Sequence, residues 1–271
     1  MKNLTFLRTM LVLLLIAVPG LCWGQNALIV HDGTPGIEAD ALTNLTTHLT
    51  GQGFAVTPNV GVPGGSLATY REIWDIRFNN TTPLSATDVT AYTTYLVGGG
   101  SLFLDGENIG FATRNNSLLS FVQSLGGGTL TAVTPSNSET VLVPFNGPTP
   151  LTTVTFLAAA GVATSPGTGT FVTVDAAGMG AGIVFSPGRL PSAPAGTLII
   201  VFDVNFLQGG ADAPSQALTD NMISYLAAPT LLQHAPPTAV PTLSEWGMIL
   251  LSVLMLASAA LALRRKLRPL S

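Results

Sequence analysis

Residues 246–263 carry no charge, and that stretch limits what the rest of the chain can be. At helical rise they reach about 27 Å, just long enough to cross a hydrocarbon core. Eight of them are Leu, Ile or Val. Each contributes roughly −0.3 to −0.6 kcal/mol near the bilayer centre, so insertion is favoured by about 2–5 kcal/mol despite Ser252 and Ser258. Arg264, Arg265, Lys266 and Arg268 follow, and are expected to hold the C-terminus on the cytoplasmic side. A chain that ends this way is expected to fold its bulk as a globule on the far side of a membrane.

The other end agrees. Lys2 and Arg8 precede an apolar run over residues 10–18, too short to span, followed by Pro19-Gly20 and the small Gly24. This pattern predicts a cleavable export signal over residues 1–24, with Gln25 as the new N-terminus; an uncleaved anchor is the alternative. Cys22 follows Leu21, where a lipoprotein would carry a small residue. It is the single cysteine of the 271-residue chain, so the exported part has neither disulfide nor thiol and depends on its core. Residues 25–239 hold 4 Arg, no Lys and 13 Asp or Glu, a formal charge of −9. Such a surface excludes nucleic acid as a partner. The expected organisation is a signal at 1–24, one exported domain at 25–228, a Pro-rich linker at 229–239, and a tail at 240–268 whose transmembrane helix covers 246–263.

Within the exported part, residues 27–30, 101–104 and 197–202 are continuous apolar runs, the pattern of strands buried on both faces. Residues 54–57 and 71–78 predict two more strands. Ile37, Ala41, Leu45 and Leu49 recur every four residues and predict a helix that stops at Gly51 and Gly53. Ser85 and Asp88 predict a capped helix ending at Gly98-Gly99-Gly100, and residues 118–125 and 214–227 predict two further helices. Between residues 129 and 195, short Thr- and Val-rich segments (140–143, 152–156, 170–174 and 182–185) are broken by Pro and Gly, which suggests antiparallel strands. The order β-α-β-β-α-β-α, a β-rich insertion, then β-α predicts an α/β fold: a mostly parallel sheet with helices on both faces.

Two resemblances sharpen this. Val240-Pro241-Thr242-Leu243, two further residues and then Trp246-Gly247 precede the apolar span. The tail resembles the IPTL-CTERM sorting domain of Gram-negative bacteria, with Val240 where the family has Ile. The resemblance implies an exosortase-type membrane transpeptidase as partner, which would cut near the motif and pass the protein to the surface or extracellular matrix. Uncut, the chain stays anchored in the inner membrane. A plain C-terminal anchor with Trp246 in the interfacial belt is the alternative. Residues 84–110 (LSATDVTAYTTYLVGGGSLFLDGENIG) and 196–225 (GTLIIVFDVNFLQGGADAPSQALTDNMISY) are similar to the class I glutamine amidotransferase-like superfamily, which implies a flavodoxin-like sheet. Active members carry Gly-x-Cys-x-Gly at a strained turn. The matching residues here are Gly106-Glu107-Asn108-Ile109-Gly110, and the Asn108 amide cannot form an acyl-enzyme. Cysteine-based amidotransfer is excluded, and no enzymatic activity is expected.

Other chemistry is thin. His31, His48 and His234 show no metal-ligand spacing, so zinc is not expected. Asp32, Asp75, Asp105 and Asp203 stand at or near the ends of four predicted strands, with Glu107, Asn108 and Asn205 just beyond. In a parallel sheet these ends converge on one crevice. Asp32, Asp105, Glu107, Asn108, Asp203 and Asn205 are therefore a candidate ligand crevice, able in principle to hold Ca²⁺ or Mg²⁺ through oxygen; no other cofactor is expected. The competing reading is that Asp and Asn serve turns and helix starts wherever strands end. The expected role is a non-catalytic exported protein of the cell envelope that acts by binding or by structure, with polysaccharide as a possible partner. The alternative is an envelope glycan or peptide hydrolase working through Asp105, Glu107 and Asp203.

Overall fold

A computed structural model describes residues 25–228 with the exception of Ala163. The expected signal peptide, linker and transmembrane tail lie outside the described residues. Among the described residues no helix is long and apolar enough to cross a membrane.

The chain forms β1 (Gln25–His31), α1 (Ile37–Gly51), β2 (Phe54–Val60), β3 (Glu72–Asp75), α2 (Ala86–Val97), β4 (Ser101–Gly106) and α3 (Ala112–Ser124). An insertion follows, with β5 (Ala132–Val133), β6 (Ser138–Val141), β7 (Thr153–Thr155), β8 (Gly161–Val162), β9 (Thr170–Phe171), β10 (Thr173–Val174) and β11 (Gly182–Phe185). The chain closes with β12 (Thr197–Phe202), a short 3-10 helix (Val204–Leu207) and α4 (Ala213–Ala227). Seven strands make the main sheet in the order β2-β1-β3-β4-β12-β11-β9. The first five are parallel, while β11 runs antiparallel to both β12 and β9. The chain steps outward from β1 to β2 and then reverses to β3, so the order reverses at β1/β3 as in doubly wound sheets.

The continuous apolar runs are explained by two cores, one on each face. In β1, Ala27 and Ile29 enter one core while Leu28 and Val30 enter the other. In β12, Ile199 and Val201 part in the same way from Leu198, Ile200 and Phe202. The first core is closed by Ala41, Leu45 and Leu49 of α1 and by Leu218, Met222 and Ile223 of α4. The second is closed by Tyr92 and Leu96 of α2 and by Leu118, Phe121 and Val122 of α3. β2 is an edge strand. Gly61 N–H bonds to His31 O, so alternation turns the backbone of Pro58 outward, where its missing N–H interrupts the exposed ladder.

Local rules account for most boundaries. Ser85 and Asp88 form the expected capping box of α2. Gly100 cannot be larger, because a Cβ there would fall 2.4 Å from the Tyr95 ring. Four expectations are corrected. The third strand is not residues 71–78 but Glu72–Asp75, because Arg77 turns back to bond the Asp75 carboxylate through both its backbone and its guanidinium. α3 starts at Ala112 rather than residue 118, its first turn being polar yet buried at Arg114 and Asn115. Ile37 is 41% exposed, while Glu38 faces inward in its place. The single strand expected at 170–174 is split: β9 pairs with β11 of the main sheet and β10 with β6 of a three-stranded sheet, on either side of the buried Val172.

Candidate functional site

The four strand-end aspartates do stand along one edge, at the carboxyl ends of β1, β3, β4 and β12, which are neighbours in the sheet. Side-chain alternation then separates them. Asp32 lies in the β1–α1 turn, where its Oδ1 accepts from Thr34 N–H at 2.7 Å. The buried Glu38 reaches back into the same turn and accepts from Asp32 N–H at 2.9 Å and Thr34 N–H at 3.0 Å. Burial, aided by the nearby Asp32, pushes Glu38 up to about 7. Burial also opposes ionisation of Asp32, but its hydrogen bonds outweigh that and hold it below the usual carboxylate range. Backbone donors at such a turn would otherwise suit an anion; here the protein's own carboxylate occupies them.

Asp75 faces α2 and α3. Arg77 donates to it at 2.9 and 2.6 Å, the Tyr92 hydroxyl donates at 3.0 Å, and Arg114 Nη2 stands 3.3 Å away. Arg77 also reaches Asp88 at 3.4 Å. Asp75 is fully buried. Burial raises its pKa, but the Arg114 and Arg77 charges outweigh that and hold it below its ordinary value. Arg114 is itself fully buried and is fixed by the Asp105 carbonyl at 3.0 Å and the Thr82 carbonyl at 2.9 Å. This network was missed because a sequence shows charges without their partners; the polar first turn of α3 was its only trace.

Asp105, Glu107 and Asp203 gather near the opposite, α1/α4 face, each less than 5% exposed. Asp203 Oδ2 accepts from Leu157 N–H at 2.6 Å and Ala158 N–H at 3.2 Å, and Oδ1 from Asn205 N–H at 2.9 Å. One carboxylate thus ties the insertion to the end of β12 and starts the 3-10 helix. Glu107 Oε1 accepts from the backbone and side chain of Asn108 at 2.8 and 3.2 Å. Asp105 has no hydrogen-bond partner at either oxygen. Burial, then the neighbouring Glu107 charge, pushes it well above the ordinary value. Burial also raises Glu107 and Asp203, opposed in part by their backbone donors.

Aromatic side chains pack together in the core on this same face. Phe206 of the 3-10 helix packs against Phe103 of β4 with ring centroids 6.2 Å apart, and against Phe156 of the insertion at 6.0 Å. Trp74 stacks on Phe103 at 4.5 Å. Asn108 sits in a turn, its Oδ1 accepting from Gly110 N–H at 3.0 Å, and Asn205 Nδ2 donates to Gln208 at 2.8 Å. A strained nucleophile elbow is not formed at Asn108, since no non-glycine residue among those described has a positive φ. Gly106 is required by packing: a Cβ would meet the Phe202 ring at 2.5 Å and Asn115 Oδ1 at 2.9 Å. Among the described residues no group of three or more His, Cys, Asp or Glu is arranged to hold a metal ion.

Of the histidines, His48 is the informative one. Its Nδ1 lies 2.7 Å from Asp220 of α4 and its Nε2 lies 2.6 Å from Gln216 Oε1. Gln216 Nε2 donates to the Gln208 carbonyl at 2.7 Å, which fixes the amide orientation. Both ring nitrogens thus face oxygen acceptors, and no serine takes part, because Ser224 Oγ donates to Gln52 instead at 3.2 Å. A Ser-His-Asp relay is not assembled here.

The IPTL-CTERM motif model matches residues 238–268, so the chain carries a C-terminal sorting signal of exported, cell-envelope proteins. No curated protein matches the chain. Among solved structures, the mmIFT52 N-terminal domain superposes with a TM-score of 0.56 at 10% identity, covering 76% of this chain and 99% of that one. A ThuA-like protein from Parabacteroides merdae gives 0.50 at 9% identity, covering 76% and 90%. An exo-beta-1,4-mannosidase from Opitutaceae bacterium strain TAV5 gives 0.48 at 12% identity, covering 77% of this chain and 36% of the enzyme. At these identities the likeness is one of fold alone.

Proposed function

We propose that this protein is an exported component of a Gram-negative cell envelope, delivered by an exosortase-type enzyme that recognises Val240-Pro241-Thr242-Leu243 and Trp246-Gly247, and that it acts by binding or by structure rather than by catalysis. The sorting motif at residues 238–268 carries the first part. The second part is supported by the crevice: Asp105, Glu107 and Asp203 are buried, Glu107 and Asp203 are engaged by backbone donors, and Phe206 of the 3-10 helix that follows Asp203 packs against Phe156. The strand order and the ThuA-like neighbour are compatible with a flavodoxin-like, amidotransferase-like body that has lost its nucleophile, with Asn108 in the matching position. The apolar span at 246–263 would anchor the unprocessed chain.

Mass spectrometry of the surface form tests delivery: a C-terminus ending near the motif is expected, and an intact Arg265 would contradict processing. The hydrolase alternative is favoured by one feature, the raised pKa of Glu107 beside Asp203. Turnover on a panel of glycosides and peptides, abolished by Glu107→Gln, would overturn the non-catalytic reading.

A further inference from the structure

A groove of about 550 Å³ runs between α1 and α4, lined by Thr47, His48, Gln52, Thr149, Asp220 and Ser224. That volume is in the range of roughly 300–1,000 Å³ usual for small-molecule clefts. Its polar groups are held in place before any ligand arrives. Gln52 Nε2 donates to Asp220 Oδ1 at 3.1 Å and Ser224 donates to Gln52, while His48 is clamped between Asp220 and Gln216. Gln216 is anchored in turn on a backbone carbonyl, and Asn221 fixes the Thr149 backbone through both its N–H and its carbonyl at 2.9 Å. Among the described residues, Asp220 Oδ2 and Thr149 Oγ1 have no hydrogen-bond partner and remain available.

The lining selects a ligand class. No Lys or Arg lines the groove, so an anion finds no counter-charge, and its single carboxylate already faces His48, so a cation finds little. No aromatic or large aliphatic side chain lines it either, which disfavours an apolar ligand. Planar carboxylate and amide groups beside hydroxyls match adjacent hydroxyls that each donate and accept. We infer that this groove binds a neutral saccharide, a site separate from the strand-end crevice. The inference rests on the reading of the protein as an exported binding component.

Gly51 ends α1 at the groove, and a Cβ added there meets nothing within 4 Å. Gly51→Trp therefore adds an indole at the lining of the groove without a backbone clash and without removing a side-chain hydrogen bond. The test is calorimetric titration of the mature protein, kept in a non-glycosidic detergent, with neutral gluco-, manno-, galacto- and chito-oligosaccharides. At least one should bind. Gly51→Trp and Asp220→Ala should each weaken it by at least about tenfold, and the exposed Thr149→Ala severalfold, with the melting temperature of Gly51→Trp unchanged. Absence of binding by every probe, or binding that Gly51→Trp and Asp220→Ala leave intact, would overturn the site. Either result would leave the mass of the mature C-terminus, and so the sorting reading, unaffected.

Discussion

Asp75 and Asp105 end adjacent strands, and Asp75 is paired in register with Leu104, so Asp105 lies one residue further on and points to the opposite face. Both are fully buried. On the α2/α3 side, two arginines and a tyrosine surround Asp75 and keep it ionised. On the α1/α4 side, Asp105 meets other acids and no hydrogen-bond donor, and burial pushes it towards its neutral form. Burial alone does not decide what a carboxyl does inside a protein. The partners supplied by the facing helices do, and a shift of one residue in register exchanges one set for the other.

The largest test of that contrast is Asp75→Asn. Removing one member of a buried ion pair strands the Arg77 and Arg114 charges, and should cost about 3–5 kcal/mol in urea unfolding of the domain. A loss below about 1 kcal/mol would mean that the network is far more hydrated than its burial indicates.

The next largest effect is on pH dependence. Burial raises Glu38 to about 7, Glu72 to about 8 and Glu139 to about 7, and Asp105, Glu107 and Asp203 move the same way. A carboxyl whose folded-state pKa is raised stabilises the fold fully below its unfolded value, and that contribution disappears as pH rises through the folded value. Stability should therefore decline from about pH 5 to pH 8, by at least about 2–4 kcal/mol, the size of one such shift alone. Asp32, Asp75 and Asp175 are lowered, so their contribution is present above the ordinary value of 3.8 and is lost as pH falls below it. Melting temperatures recorded across this range should peak on the acid side of neutrality. A profile flat from pH 5 to 8 would contradict the neutral state of the buried acids.

The smallest effect is the most discriminating. Asp105→Asn replaces a neutral acid by a neutral amide of the same shape, and should change stability at pH 7 by less than about 1 kcal/mol. It should also flatten the decline above neutrality. A loss as large as that of Asp75→Asn would show that Asp105 is ionised and paired.

How much of this was legible depended on whether the signal was local. Continuous apolar runs marked β1, β4 and β12, and the Ser85/Asp88 pair marked α2, because both patterns act within a few residues. The edge on which the aspartates stand followed from the βα alternation. The face each one takes did not, since it depends on register between strands far apart in sequence. Arg114 is polar and fully buried, so hydropathy hid the start of α3. His48 and Asp220 lie 172 residues apart, and nothing in either segment points to the other. The division of residues 170–174 between two sheets was equally hidden, because both halves carry the same Thr/Val composition.

The proline on the outer edge of β2 has a consequence for life at an envelope. Proteins gathered at a surface meet their neighbours at higher local concentration than in free solution. An open β-edge would then be a template for zipping one molecule to the next. Pro58 leaves a gap in that template on the longer of the sheet's two margins, which makes that margin a poor place for one copy to zip onto the next.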